Sequence, residues 1–258
     1  MASPRIVSLA PSATATLQAL GVDDQLVGVT THCDGAATTV GGWLNPDYET
    51  LAELSPDLVC TSDGLQREIR DDLRDRGYRV HHHEPSRLDD VLAGFESLAT
   101  AAAVPAAGEQ LRTDCRSRLD NIAERVDTAV DDDSHDSDDR PVVYCEEWSD
   151  PPMAAGNWVP DAVEAAGGRY PFVAPGERSQ EVDRGTVVDA DPEHAVLHIC
   201  GTGDDVSADR LTDRGWPLNA TVHVIDDSLL NQPSPKLIDG IEFLSHRLYP
   251  SQSATQEQ

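Results

Sequence analysis

The chain has 258 residues, of which 47 are acidic and 19 are basic, so its formal net charge is −28. This balance argues against a nucleic-acid-binding protein, because a phosphate backbone is held by Lys and Arg patches. Lys236 is the single lysine. Dense carboxylates with few aromatic residues are typical of proteins adapted to concentrated salt, where charges are screened over about 3 Å.

The N-terminus leads from Met1 directly into an apolar segment at 6–9, without the charged and apolar regions of a secretory signal. No apolar run is long enough to span a membrane. The sequence therefore predicts a cytoplasmic protein, with a cell-surface location as the alternative if a signal has been removed. Five widely spaced cysteines without a Cys-x-x-Cys pair predict reduced thiols. We also expect a monomer.

In the first half, strand-like and helix-like segments alternate. Apolar, β-branched runs predict the strands, and Pro, Gly and Ser mark the ends of the helices. The predicted strands are 5–9, 26–31, 58–61 and 79–83, and the predicted helices are 13–20, 45–54, 65–76 and 87–103.

The second half repeats this plan. Pro192 follows Pro56 by 136 residues and Arg214 follows Arg76 by 138, each in a similar local sequence. The predicted strands are 140–145, 191–197 and 222–225, and the predicted helices are 159–166 and 235–248. Alternating strands and helices indicate parallel sheets with right-handed crossovers. The sequence thus predicts two Rossmann-like α/β lobes with parallel central sheets.

A long helix is predicted to connect the two halves. Pro105 suits its first turn, and an apolar stripe at helical spacing follows, formed by Leu111, Cys115, Leu119, Ile122 and Val126. The expected division is an N-terminal lobe at 1–104, a bridging helix at 105–130, an acidic loop at 131–140 and a C-terminal lobe at 141–258. The like-charged loop is predicted to be solvated and to carry no chemistry.

Ligands of open α/β sheets bind beyond the carboxyl ends of the strands, so two lobes with facing strand ends predict a ligand cleft. Trp148 and Trp158 lie between a predicted strand and a helix N-terminus, and Trp43 follows two glycines. Indole rings in such loops favour a large, flat, apolar ligand. The candidate ligand-binding residues are Ser12, His32, Trp43, Ser62, Asp63, Glu147, Trp148, Asn157, Trp158, Arg178, Thr202 and Asp227.

Other chemistry has weaker support. His81, His82 and His83 lie in a predicted strand, where two could share a face and the third could not. No spacing of His, Cys, Asp or Glu matches a metal site, so we expect none. The chain shows neither a phosphate-binding loop nor a nucleophile with its base. A cofactor-salvage enzyme that uses Glu146, Glu147 or Asp226 as acid or base is an alternative.

Three short motifs in the sequence carry a family resemblance. The first is the opening segment at 5–14, Arg-Ile-Val-Ser-Leu-Ala-Pro-Ser-Ala-Thr, with Leu20-Gly21 and the strand 26–29 after it. The second is Leu-Ser-Pro-Asp-Leu-Val at 54–59, and the third is Ser-Pro-Lys at 234–236. Together they resemble the class III substrate-binding proteins of ABC importers, and most closely those that bind vitamin B12.

The resemblance covers nearly the whole chain and implies two α/β lobes bridged by one long backbone helix. It also implies non-catalytic binding of a corrinoid such as cobalamin between the lobes, for uptake or salvage. Family ligands include heme and ferric siderophores, which are the alternatives, and the family partner is an ABC permease.

The chain departs from the family pattern at several positions. The two permease-docking glutamates of the family correspond to Glu68 and to Gly185, so the second is missing. The corrin-covering aromatic positions correspond to Ser62 and Ser179, and we expect the tryptophans to replace them.

Overall fold

A computed structural model describes residues 3–130 and 140–250. The chain forms two compact units. Unit 1 comprises Met1–Pro85, Asp89–Cys115 and Pro233–Pro235, and unit 2 comprises Ser86–Leu88, Arg116–Gln232 and Lys236–Gln258. The acidic loop was predicted at 131–140, and its residues 131–139 lie outside the described residues. Among the described residues, no helix is both long and apolar enough to cross a bilayer.

Unit 1 is built on a parallel five-stranded sheet in the order β3-β2-β1-β4-β5. Its strands are β1 (Ile6–Ser8), β2 (Leu26–Val29), β3 (Thr38–Thr39), β4 (Leu58–Ser62) and β5 (Val80–His83). Its helices are α1 (Pro11–Ala19), α2 (Tyr48–Leu54), α3 (Arg67–Asp75) and α4 (Leu88–Ala101).

Helices cover both faces of this sheet because buried residues alternate along its central strands. On one face Ile6 and Leu58 pack with Leu17 of α1 and Leu98 of α4. On the other face Val7 and Val59 join a second apolar cluster, with Leu51 from α2 and Leu73 from α3. A side chain at Gly28 of β2 would lie 2.7 Å from Leu54, which explains a glycine inside this strand.

A single helix, α5 (Pro105–Ala129), follows α4. The chain passes from unit 1 to unit 2 within α5, between Cys115 and Arg116. Three residues of the predicted apolar stripe, Cys115, Ile122 and Val126, are buried. Arg118 donates to Glu242 through Nε at 2.8 Å and to Asp239 through Nη2 at 2.6 Å. This part of α5 is therefore fixed to unit 2 by apolar contacts and by a guanidinium clamp.

Unit 2 contains a second five-stranded sheet, in the order β10-β9-β6-β7-β8. Its strands are β6 (Val143–Ser149), β7 (Pro152–Ala154), β8 (Gln180–Glu181), β9 (His194–Leu197) and β10 (Thr221–Val224). Its helices are α6 (Val159–Ala165), α7 (Arg184–Asp189), α8 (Asp209–Thr212) and α9 (Lys236–Leu248).

The predicted repeat corresponds to three strands of each sheet. The strands β1, β4 and β5 lie side by side and parallel, and so do β6, β9 and β10. Both units are α/β, with parallel strands at the centre of each sheet and one long helix in which the chain crosses over. The predicted fold class is therefore confirmed.

One part of the second sheet was not predicted. β6 continues to Ser149 and pairs antiparallel with β7, and β7 pairs antiparallel with β8. The segment 146–148, predicted as a loop, is therefore strand. The polar residue Glu146 suggested a loop, but it is fully buried because Arg214 neutralises it. That partner lies 68 residues away in the sequence.

Candidate functional site

The carboxyl ends of β1 and β4 place two predicted ligand residues in one small pocket of unit 1. Ser12, in the first turn of α1, and Ser62, the last residue of β4, both line this pocket. The hydroxyl of Ser62 donates to the carbonyl of His83 at 2.8 Å. The pocket has a cavity volume of about 10 Å³, which is room for about one water. It is therefore too small for an organic cofactor.

Two of the three consecutive histidines share this pocket, as strand alternation predicts. His81 and His83 line it, whereas Nδ1 of His82 is 2.9 Å from the hydroxyl of Thr61. A side chain at Gly94 of α4 would lie 2.3 Å from Nε2 of His83, so a glycine makes room for the imidazole. Burial lowers the pKa of His81 and of His83 to about 4. Both rings are therefore neutral near pH 7.

The loop after β3 and the turn after β4 both expose apolar side chains near the strand ends of unit 1. Trp43 is half-buried, and its neighbour Leu44 is 51% exposed. Leu65, after β4, is 58% exposed. The side-chain amide of Gln66 donates to the carbonyl of Trp43 at 2.6 Å, which holds this loop beside the turn after β4. Leu44, Leu65 and Gln66 were not among the predicted site residues.

Two other predicted residues of unit 1 lie on the same edge of the sheet. His32 is exposed after β2. Asp63 adopts a left-handed backbone with φ of 69°, and its carboxylate accepts from the amide of Leu65 at 2.8 Å. Glu68, the predicted docking residue, is exposed in the first turn of α3.

In unit 2 the strand ends are organised by the buried carboxylate of Glu146. It accepts from the hydroxyl of Tyr144 at 2.8 Å and from that of Ser149 at 2.7 Å. The guanidinium of Arg214 donates to both of its oxygens, at 2.5 and 2.7 Å, and also to the carbonyl of Ser149 at 3.1 Å. This network fixes the end of β6, where Trp148 lies.

The two predicted tryptophans of unit 2 differ in position. Trp148 is 48% exposed, and its indole nitrogen donates to the carbonyl of Asp150 at 2.8 Å. Trp158 is 6% exposed and donates to the carbonyl of Leu230 at 2.7 Å. Trp148 is therefore accessible at the surface, whereas the structure places Trp158 in the core of its own unit.

The remaining predicted residues of unit 2 lie in turns that follow strands. Asp227 accepts from the amides of Gly201 and Gly203 at 2.8 and 3.0 Å, so these donors are not free to hold a phosphate. Thr202, between them, donates to the carbonyl of Ile199 at 2.6 Å. Asn157 has φ of 52°.

Two predicted residues, Arg178 and Glu147, complete the set in unit 2. Arg178 is exposed in the segment that packs against Gly156, and Glu147 is half-buried in β6.

A metal centre was not expected, and the described ranges 3–130 and 140–250 contain no group of three or more His, Cys, Asp or Glu side chains that could hold a metal ion. His198 is fully buried, and Asn231 holds its Nδ1 at 2.5 Å. Burial lowers the pKa of His198 to about 4. The ring of His198 is therefore a neutral core group.

Removing the counter-charge of Glu146 tests the network in unit 2. We expect Arg214→Met to lower the free energy of unfolding by about 3–5 kcal/mol, because it leaves a carboxylate buried without its cationic partner. Arg178→Met, which alters an exposed arginine of the same unit, should change it by less than about 0.5 kcal/mol. Urea unfolding in concentrated KCl measures both variants. If both variants lower the free energy of unfolding by the same amount, the Arg214–Glu146 pair makes no specific contribution to stability.

The histidine pocket of unit 1 predicts a pH dependence. In the unfolded chain these imidazoles gain a proton near pH 6.5, whereas His81 and His83 in the fold gain it only near pH 4. Their contribution to stability is therefore complete above about pH 6.5 and is lost as the pH falls towards 4. The double variant His81→Gln, His83→Gln should lose less stability over this range than the wild type. His32→Gln, an exposed control, should follow the wild-type profile, and parallel profiles for all three proteins would contradict the prediction.

Comparisons with known proteins agree with this architecture. A family model described as periplasmic binding protein matches residues 6–217. The vitamin B12-binding protein of Vibrio cholerae is 25% identical over 256 residues, covering 92% of this chain and 86% of that protein. The Bacillus subtilis protein named uncharacterized ABC transporter substrate-binding lipoprotein YvrC is 28% identical over 270 residues, covering 95% of this chain and 80% of that protein.

Among solved structures, a periplasmic heme binding protein from Pseudomonas aeruginosa has the same fold. Its TM-score is 0.79 at 23% identity, and the alignment covers 97% of this chain and 94% of that chain. The resemblance predicted from the opening strand and the Pro-Asp-Leu-Val motif is thus confirmed at the family level. Because the family match takes in most of the sequence, this chain belongs to the periplasmic binding protein family.

Proposed function

We propose that this protein binds a corrinoid or a related large ring cofactor, without catalysis, and serves its uptake or salvage. The observation that carries the proposal is the exposed apolar surface at the strand ends of each unit. Leu44 and Leu65 in unit 1 and Trp148 in unit 2 are each about half exposed. Apolar patches exposed at the carboxyl ends of the strands, where α/β proteins bind their ligands, mark ligand-binding surfaces. The likeness to vitamin B12-binding proteins supports the choice of ligand.

The charges at the strand ends favour an uncharged ligand over an anionic one. Arg214 is committed to Glu146, and Arg67 is committed to Glu84, with Nε and Oε2 2.8 Å apart. Arg178 is the exposed arginine of the candidate ligand set. Heme carries two carboxylates, and catecholate siderophores are polyanions, so either ligand would need cationic partners. A corrin ring with amide side chains needs hydrogen bonds and apolar contact instead. This difference supports our choice of a corrinoid over heme and ferric siderophores.

The carboxylates considered for catalysis have structural partners. Glu146 is held by Arg214, Tyr144 and Ser149. Asp226 accepts from the amide of Ser228 at 2.8 Å. A general acid or base must exchange its proton with a substrate, and a carboxylate neutralised by a buried guanidinium is poorly suited to that. These contacts support a binding protein over a cofactor-salvage enzyme.

Titration with candidate ligands tests the proposal. Cyanocobalamin, dicyanocobinamide, heme and a ferric catecholate siderophore are each added to the protein in concentrated KCl, while tryptophan fluorescence and ligand absorbance are followed. We expect saturable binding of a corrinoid, and about tenfold or more weaker binding by Trp148→Ala, because aromatic anchors contribute strongly to binding energy. Trp158→Phe changes a core ring and is the control. If only heme or only the siderophore binds, that ligand takes the place of the corrinoid in the proposed function. If no ligand binds, the proposal is refuted.

We further propose that Glu68 docks the protein onto an ABC permease, as the resemblance implies. Glu68 is exposed on α3, and Gly185 is exposed on α7. A photo-crosslinking amino acid at Glu68 should capture a membrane protein, whereas one at the exposed Asp213 of unit 2 should not. The cytoplasmic location stays a prediction, and fractionation of the same cells tests it. Recovery of no membrane protein from position 68 would contradict docking.

A further inference from the structure

Gln66 is a fully buried polar residue with three hydrogen bonds to the main chain. Its Oε1 accepts from the amide of Ser62 at 2.8 Å. Its Nε2 donates to the carbonyl of Leu9 at 2.9 Å and to that of Trp43 at 2.6 Å. One side chain thus connects the end of β1, the end of β4 and the loop after β3. All of these residues belong to unit 1.

The turn after β4 brings Gln66 into this position. Asp63 adopts φ of 69°, its own amide donates to the carbonyl of His83 at 3.0 Å, and its carbonyl accepts from the amide of Gln66 at 3.1 Å. The chain therefore reverses directly after the strand, and the side chain of Gln66 points back beneath the strand ends. In sequence Gln66 lies on the same helical stripe as Ile69 and Leu73, which pack into the apolar core.

The loop that carries Trp43 also has main-chain bonds at its two glycines, Gly41 and Gly42. The amide of Gly42 donates to the carbonyl of Asn45 at 3.2 Å, and the amide of Thr31 donates to the carbonyl of Gly41 at 3.0 Å. The bond from Gln66 ties Trp43 itself to the strand ends. Burial makes this bond costly to break, because the freed carbonyl and amide would lose their partners away from water.

We propose that Gln66 is a positioning residue that sets the Trp43–Leu44 loop against the strand ends of unit 1, so that ligand affinity depends on it. This inference rests on the proposed function. Only a side chain that donates and accepts at once can serve all three contacts. Methionine has a similar shape but serves none of them, and glutamate keeps the acceptor for Ser62 while it sets a carboxylate oxygen against two carbonyls.

A first experiment needs no ligand. The protein is labelled with 5-fluorotryptophan, and its four tryptophan resonances are assigned by single Trp→Phe variants. Gln66→Met should shift or broaden the Trp43 resonance and leave those of Trp148, Trp158 and Trp216 unchanged. Gln18→Met is the matched control, because the exposed Gln18 also donates to one main-chain carbonyl of unit 1, that of Asp34 at 3.0 Å.

A second experiment measures coupling in corrinoid binding. Gln66→Met should weaken the binding of cyanocobalamin about tenfold. A change of this size corresponds to the free energy of about one hydrogen bond, here the bond that holds the loop in place before the ligand binds. In a Trp43→Ala, Leu44→Ala background, which removes both side chains that the loop presents, the same change should have little further effect, since coupled residues are not additive. A residue that acts only on global stability would give additive effects in this cycle.

The outcomes separate the two proposals. An unchanged Trp43 resonance in folded Gln66→Met, or additive effects in the cycle, would overturn the positioning role. If Gln66→Met does not fold, Gln66→Glu, which keeps the acceptor for Ser62, takes its place in both experiments. If no corrinoid binds the wild type, the proposed function fails, and the fluorine spectra still decide the role of Gln66.

Discussion

Each unit has a buried polar side chain beneath its strand ends, and this side chain must find its hydrogen-bond partners inside the protein. In unit 1 the amide of Gln66 bonds three main-chain groups. In unit 2 the carboxylate of Glu146 is bonded by Arg214 and two hydroxyls. The loop that carries Trp43 and the end of β6 that carries Trp148 are attached to these residues. The segments that carry the exposed side chains are therefore fixed before a ligand binds, which reduces the conformational entropy lost on binding.

The two solutions differ in their sensitivity to charge. Gln66 is neutral, so its contacts depend on geometry alone. Glu146 brings an ionised group into the core, and the pair with Arg214 is tolerated because both carboxylate oxygens are bonded by the guanidinium. Because the guanidinium of Arg214 is paired with Glu146, its charge is not available to a ligand at the strand ends of unit 2. Structural demands inside the unit thus influence which ligands its surface suits.

Several predictions from the sequence depended on local patterns and were accurate. Apolar runs bounded by Gly, Pro and Ser located β1 and β4 to within about one residue at each end, because a central parallel strand is buried on both faces and is therefore rich in apolar residues. The three neighbouring histidines were correctly divided between two faces of β5, since strand geometry leaves no alternative. The polar end of β6 and its pairing with β7 were missed. A buried Glu looks like a loop residue until its distant arginine is known.

The sequence by itself determined the α/β class, the long connecting helix, the repeat of three parallel strands and the family. These depend on periodicity, on turn residues and on short motifs, all of which are local. Only the tertiary structure decided that Trp158 is a core residue while Trp148 is exposed, and that Gln66 and Arg214 organise the strand ends. Those roles depend on contacts between residues far apart in the chain, such as Gln66 with Leu9 and Arg214 with Glu146. The spacing of residues in a sequence carries no record of such contacts.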